Sequence, residues 1–167
     1  MSVRTHLRDA RWVMLVIAAV VIVLDRLTKL RVEATVHLGR HVAVIPHYFW
    51  ISHVLNTGAA FSLFDSAKSP LLVRNLLIGF SVLAVVVVLV VLWRVGRSVS
   101  ITSIALALIL GGAVGNLYDR LRFGYVVDFL EVHIHRYHWP DFNVADSAIV
   151  VGACLLLVEM LRPQRAD

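Results

Sequence analysis

Four apolar runs divide this chain. They cover about residues 12–30, 71–93, 100–118 and 144–161. Each is near the length a helix needs to cross a hydrocarbon core of roughly 30 Å, so the pattern predicts four transmembrane helices. The third, from Ile101 to Tyr118, contains no charge, whereas the fourth carries Asp146 near its start and Glu159 near its end. Arg94 and Arg97 lie in the short connection between the second and third runs. Pro70 suits the first turn of the second helix, where a missing N–H costs little. Arg4, Arg8 and Arg11 precede the first run in the manner of a secretion signal. That run leads into "DRLTKL" without a small-residue cleavage site, so it reads as a retained helix.

The segments between the runs follow a different period. Segment 31–69 contains "HVAVIPHYFWISHVLNTGAAFSLF", in which Val42, Val44, Tyr48, Trp50 and Val54 favour strands and Pro46 interrupts them. Segment 119–143 contains "VVDFLEVHIH", which alternates. As a strand it puts Phe129, Glu131, His133 and His135 on one face, and Asp128, Leu130, Val132 and Ile134 on the other. Asp128 then sits on an apolar face, unless it caps a turn just before the strand. The predicted fold is membrane α-helical: four transmembrane helices with a small extracytoplasmic β-sheet at the membrane surface. Residues 1–167 are expected to form a single integral membrane domain.

Composition strengthens that picture. The 167 residues are 59% hydrophobic and 16% charged, with a mean hydropathy of +0.81, which a soluble domain of this size rarely shows. The net charge of +5 would suggest nucleic acid in a soluble protein. Here the basic residues flank apolar runs, where they meet lipid head groups, and nucleic acid is not an expected partner. Cys154 is the sole cysteine and reads as a small buried hydrophobe. Lys and Arg are equally numerous in the two sets of connections, but denser in the short ones. With the N-terminal arginines, this puts the termini in the cytoplasm. Asp25, Arg74, Asn75, Asn116, Asp119, Arg120, Asn143 and Asp146 then gather at the outer face. Ionisable groups at membrane depth usually line an interior or a wet cavity, and short carboxylate stems cannot reach far toward water.

Three chemistries fit those residues. Asp128 and Asp146 can meet if the chain folds back. Two carboxylates in one low-dielectric pocket cannot easily both ionise, so one keeps a proton while the other acts as base. The "HIHRYH" stretch offers His133, His135 and His138 near Asp141, a zinc or copper arrangement in principle. A third ligand with fixed geometry is not evident from sequence, so a solvated edge is the preferred reading. Asp25 could carry protons in a small four-helix transporter, but Lys29 lies four residues on and can pair with it. A cysteine or serine nucleophile is poorly supported, because neither has a recognisable base partner.

Taken in order, "DRLTK", "NTGAAFS", "GGAVGNLYDR", "VVDFL" and "FNVADSAI" resemble the bacterial lipoprotein signal peptidases, also called signal peptidase II, over essentially the whole chain. The resemblance implies a metal-independent aspartic endopeptidase of the bacterial inner membrane with no cofactor. Its substrates are prolipoproteins carrying a diacylglyceryl group, cut just before the lipidated cysteine. It implies Asp128 and Asp146 as the catalytic pair. Asn56, Gly58, Asn116, Arg120 and Asn143 are implied as substrate-contacting or supporting groups. Asp119, Asp25 and Lys29 are expected to support the mouth of the site. The "HIHRYH" stretch falls in a variable part of the family, so the resemblance adds nothing to a metal reading. Beyond substrate and membrane lipid no partner is expected, and the chain is expected to act as a monomer.

Overall fold

The computed structural model describes residues 9–58, 70–134 and 137–162. His135, Arg136, Arg4, Arg8, Lys68 and the "NTGAAFS" motif beyond Gly58 lie outside the described residues. Among the described residues there are four helices: α1 (Arg11–Thr35), α2 (Pro70–Val95), α3 (Ile101–Arg122) and α4 (Val144–Met160). Four strands, β1 (His41–Ile45), β2 (Phe49–Asn56), β3 (Val126–Ile134) and β4 (Tyr137–Phe142), form one antiparallel sheet in the order β1-β2-β3-β4.

Along α1 the buried residues are Met14, Ala18, Val21, Asp25, Lys29 and Val32. Their spacing of three and four makes one stripe of the helix. Asp25 and Lys29 therefore belong to the buried face and continue the line begun by Met14 and Ala18. Helix α3 packs against each of the other three helices. Met14 and Ala18 of α1, Leu92 of α2, and Leu106, Ala107 and Leu110 of α3 form the apolar core. A second cluster, Val32, Val36 and Phe129, joins the end of α1 to the sheet, with Ile51, Leu130 and Val144 beside it.

Two reciprocal caps start the helices that frame the site. At α3 the Ser100 hydroxyl accepts from the Ser103 N–H at 3.1 Å, and the Ser103 hydroxyl accepts from the Ser100 N–H at 2.9 Å. At α4 the same device uses Asn143 and Asp146. Close approach of α3 and α4 depends on glycine. A Cβ at Gly112 would press into the Ala145 carbonyl oxygen and come within 2.8 Å of Ile149. Small residues permit such contacts between membrane helices.

Hydropathy marks the apolar stretch of a helix and not its end. Helix α1 runs on to Thr35 and α3 to Arg122, so Asp119 and Arg120 stand on α3 and not in a connection. Pro46 ends β1 as expected. Tyr48, expected in a strand, lies in the turn after it, where its N–H donates to the Ile45 carbonyl at 3.0 Å. Asp128 lies inside β3, paired opposite Val54, and caps no turn. Cys154 is exposed on α4, a correction to its expected burial.

Among the described residues, two helices, Leu71–Val95 and Ile101–Arg122, are long and apolar enough to cross a membrane. Much of α2 is exposed, including Leu76, Phe80, Leu83 and Val87. An apolar helix face of that extent suits lipid and not water. The second half of α1 carries Asp25, Arg26, Lys29, Arg31 and Glu33, and α4 has 17 residues.

Replacing Gly112 with valine should drive α3 and α4 apart and destabilise the protein by about 1–3 kcal/mol, the usual cost of overpacking. Thermal unfolding in detergent measures it, and an unchanged midpoint would show that this contact does not set the helix spacing.

Candidate active site

The site is built around a buried ammonium group. Lys29 is fully buried, and its Nζ donates to Asp25 Oδ2 at 2.7 Å, Asp119 Oδ2 at 2.6 Å and Asn116 Oδ1 at 3.0 Å. An ammonium has three N–H donors, and all three are used. Arg26 adds a longer ion pair, 3.7 Å from Asp119 Oδ1. The other oxygen of Asp25 accepts the Ala145 N–H at 3.0 Å, so α1 holds the first turn of α4 directly. A Cβ at position 115 would come within 2.9 Å of Asp25 Oδ2, so glycine there leaves room for the carboxylate.

Three side-chain amides hold Asp128 and Asp146, and one of them, Asn116, joins the pair to this cluster. Each has its oxygen engaged by a neighbouring donor and its nitrogen aimed at an aspartate. Asn116 accepts from Lys29 and donates to Asp146 Oδ1 at 2.8 Å. Asn143 accepts the Asp146 N–H at 2.9 Å and donates to Asp128 Oδ1 at 2.7 Å. Asn56 accepts the Gly58 N–H at 2.8 Å and donates to Asp128 Oδ2 at 2.9 Å. Gly58 has φ +92, a conformation that L side chains rarely adopt. The Asn143 N–H also donates to Asp146 Oδ2 at 3.2 Å, completing the cap at the start of α4. Asn143 thus touches both aspartates.

The two carboxylates differ in setting. Asp128, on β3, is buried with 3% of its surface exposed, whereas Asp146 is only part-buried. Burial pushes the Asp128 carboxyl up to about 6, and the charge of Asp146 pushes the same way, against the hydrogen bonds from Asn56 and Asn143. The charge of Arg120 is felt by Asp146, Asp128 and Asp119. A cavity of about 380 Å³ opens beside Asp128, lined by Asn56, Val54, Leu55, Thr57, His138 and Asp141. One carboxyl inclined to hold a proton, beside another that is more open, is an arrangement able to supply an acid and a base together.

The structure brings Asp128, Asp146, Asn56, Asn116 and Asn143 into one hydrogen-bonded group, with Asp25, Lys29 and Asp119 beneath it. Gly58 fixes the Asn56 amide, and Arg120 lies within electrostatic reach. Asp25, the residue a proton transporter would require, is instead engaged by Lys29 and Ala145. Sequence reasoning missed the Ala145 N–H and Arg26. The former had a legible signal, since "NVAD" carries an amide and an acid at capping spacing. The histidines assemble differently from expectation: His133 and His138 gather on Glu131 with His41, whereas Asp141 accepts from Ser52 at 3.0 Å.

Comparison with known proteins gives the class to which this helical fold with its small sheet belongs. The family model described as "Signal peptidase (SPase) II" matches residues 17–162. The chain belongs to that family of aspartic peptidases. It is 44% identical over 157 residues to a lipoprotein signal peptidase of Solibacter usitatus, covering 94% of this chain and 95% of that one. A lipoprotein signal peptidase of Syntrophus aciditrophicus is 43% identical over 153 residues, covering 90% and 93%. Two solved bacterial membrane enzymes share the fold. One has a TM-score of 0.78 at 25% identity, covering 93% of this chain and 94% of its own. The other has a TM-score of 0.73 at 28% identity, covering 91% and 94%.

Substituting Lys29 with methionine leaves Asp25 and Asp119 buried without their shared cation. Breaking one side of a buried pair costs on the order of 3–5 kcal/mol, so the unfolding midpoint in detergent should fall by many degrees; a midpoint near wild type would contradict the account. A second expectation concerns pH. Since the Asp128 carboxyl is raised to about 6, its protonated form is lost as pH rises through that value, and kcat/KM should decline there. The same shift favours folding most below the ordinary 3.8, and that contribution disappears as pH rises through about 6. The Asn56 hydrogen bond favours the ionised form, so Asn56→Ala should move the alkaline limb to higher pH. A limb unmoved by this change would detach Asn56 from the titrating group.

Proposed function

We propose that this protein is an intramembrane aspartic endopeptidase that removes the signal peptide from diacylglyceryl-modified prolipoproteins, with Asp128 and Asp146 as the catalytic pair. The observation that carries the reading is Asn143, which hydrogen-bonds both aspartates while three amide nitrogens point at their carboxylate oxygens. All four helices are taken to cross the bacterial inner membrane, with the termini cytoplasmic and the sheet at the outer face. The whole chain acts as one unit and as a monomer.

In the proposed reaction the substrate enters sideways between the helices, its acyl chains remaining in lipid. Asp146 takes a proton from water, and the water oxygen bonds to the scissile carbonyl carbon. Asp128, which burial inclines toward its protonated form, supplies the proton that the leaving nitrogen needs as the C–N bond breaks. The substrate backbone has polar groups that hydrocarbon would leave unsatisfied. Arg120 and the asparagine amides are the groups proposed to meet them, with the strand edge above.

The test is cleavage of a diacylglyceryl-modified prolipoprotein peptide in detergent with EDTA present. Wild type should cleave before the lipidated cysteine. Asp128→Asn and Asp146→Asn should each lose several powers of ten in rate, because residues acting as a unit each remove most of it. Near-normal turnover by either variant would end the two-aspartate reading.

A further inference from the structure

Away from the aspartate pair, the sheet carries a second convergence of polar side chains. Glu131 on β3 is buried, with 5% of its surface exposed. Three imidazoles meet its carboxylate. His133 Nε2 lies 2.6 Å from Oε1, His138 Nε2 lies 3.3 Å from Oε1, and His41 Nδ1 contacts Oε2. The donor atoms of Glu131, His133 and His138 all fall within 4.8 Å of one another. These residues come from β1, β3 and β4, with β2 lying between β1 and β3. His133 and His138 are direct cross-strand partners, their rings edge to face at 5.0 Å.

We infer that Glu131, His133 and His138 form a zinc site on the sheet, with His41 holding the free oxygen of the Glu131 carboxylate.

Two imidazoles and one carboxylate are a borderline donor set that suits Zn²⁺ better than the hard cations. Ligands about 2.0–2.1 Å from a tetrahedral zinc lie about 3.3 Å from each other. The observed separations to Glu131 of 2.6 and 3.3 Å require only small side-chain shifts to admit the ion. A water would complete four-fold coordination. Glu131 supplies the carboxylate oxygen that such a site takes as an anionic ligand. His41 on the second oxygen restricts the carboxylate's rotation, the role outer partners commonly play at metal sites. Asp141 lies within electrostatic reach of Glu131, His138 and His41 and adds negative charge nearby.

Bound zinc would join β3, which carries Asp128, to β4. His138 also lines the cavity beside Asp128, but among the described residues none of the three ligands hydrogen-bonds Asp128 or Asp146, so the zinc is assigned a structural part. The expected effect is on the rigidity of the sheet.

The experiment uses the full chain in detergent, purified without a polyhistidine tag, stripped with chelator and titrated with zinc chloride against a competing chromophoric chelator. One zinc per chain should bind, and the unfolding midpoint should rise on binding. His133→Ala and His138→Ala should weaken binding by about 100-fold or more, and His41→Ala by roughly 10–100-fold, the range for outer-partner loss. Asp128→Asn should bind zinc as wild type does, which separates this site from the proteolytic one. EDTA-resistant peptide cleavage by His133→Ala, and a native unfolding transition in detergent for His138→Ala, whose parent side chain lines the cavity beside Asp128, would confirm that they fold. Well under one zinc per chain, or an affinity indifferent to His133 and His138, would overturn the inference.

Discussion

The rest of this structure depends on how Lys29 is satisfied. An ammonium buried among apolar helices is costly unless every N–H finds an acceptor, and here all three do. The consequences run outward. Asp25, held by Lys29, has one oxygen left for the Ala145 N–H, which fixes the start of α4 and hence Asp146. Asn116 receives the third Lys29 proton on its oxygen, so its nitrogen must face the other way, toward Asp146. A charge at the end of α1 thereby sets the orientation of an amide on α3 and the position of an acid on α4.

The same logic is repeated at Asn143 and Asn56. In each amide the oxygen is occupied by a donor that serves local structure: a helix cap in one case, the tight turn at Gly58 in the other. The nitrogen is then left to donate to an aspartate, and that of Asn143 also makes longer bonds to the Asn116 Oδ1 at 3.3 Å and the Val127 carbonyl at 3.4 Å. Amides suit this duty because they carry both polarities without charge. Another ammonium in their place would hold both aspartates ionised. With amides the pair's own repulsion and burial remain effective, and Asp128 stays inclined to keep its proton. Preorganised donors of this kind cost no rearrangement at the moment of reaction.

Much of this was legible in the sequence. The four apolar runs became four helices, the alternating segments became a sheet, and the acids at the run ends converged. Asp25 and Lys29 at spacing four did pair. What could not be read was the third dimension of the stripe. Hydropathy treats Asp25 and Lys29 as the end of an apolar run, whereas their spacing from Met14, Ala18 and Val21 places them on its buried face. Likewise, Asn116 and Asp119 are ordinary polar letters until α3 is laid against α1. The histidines show the same limit. Local spacing grouped His133, His135 and His138 with Asp141, but sheet register brings His41 to Glu131 from 90 residues away. Long-range register depends on strand bulges that alternation does not reveal.

The central claim is that Asp128 and Asp146 act as one unit. A double-mutant cycle on single-turnover cleavage tests it most directly, using Asp128→Asn, Asp146→Asn and the doubly substituted chain, each checked for native unfolding. If the two share one proton-transfer apparatus, the double variant should be no slower than the slower single variant. If instead the two losses multiply, the aspartates contribute independently and the paired mechanism is wrong.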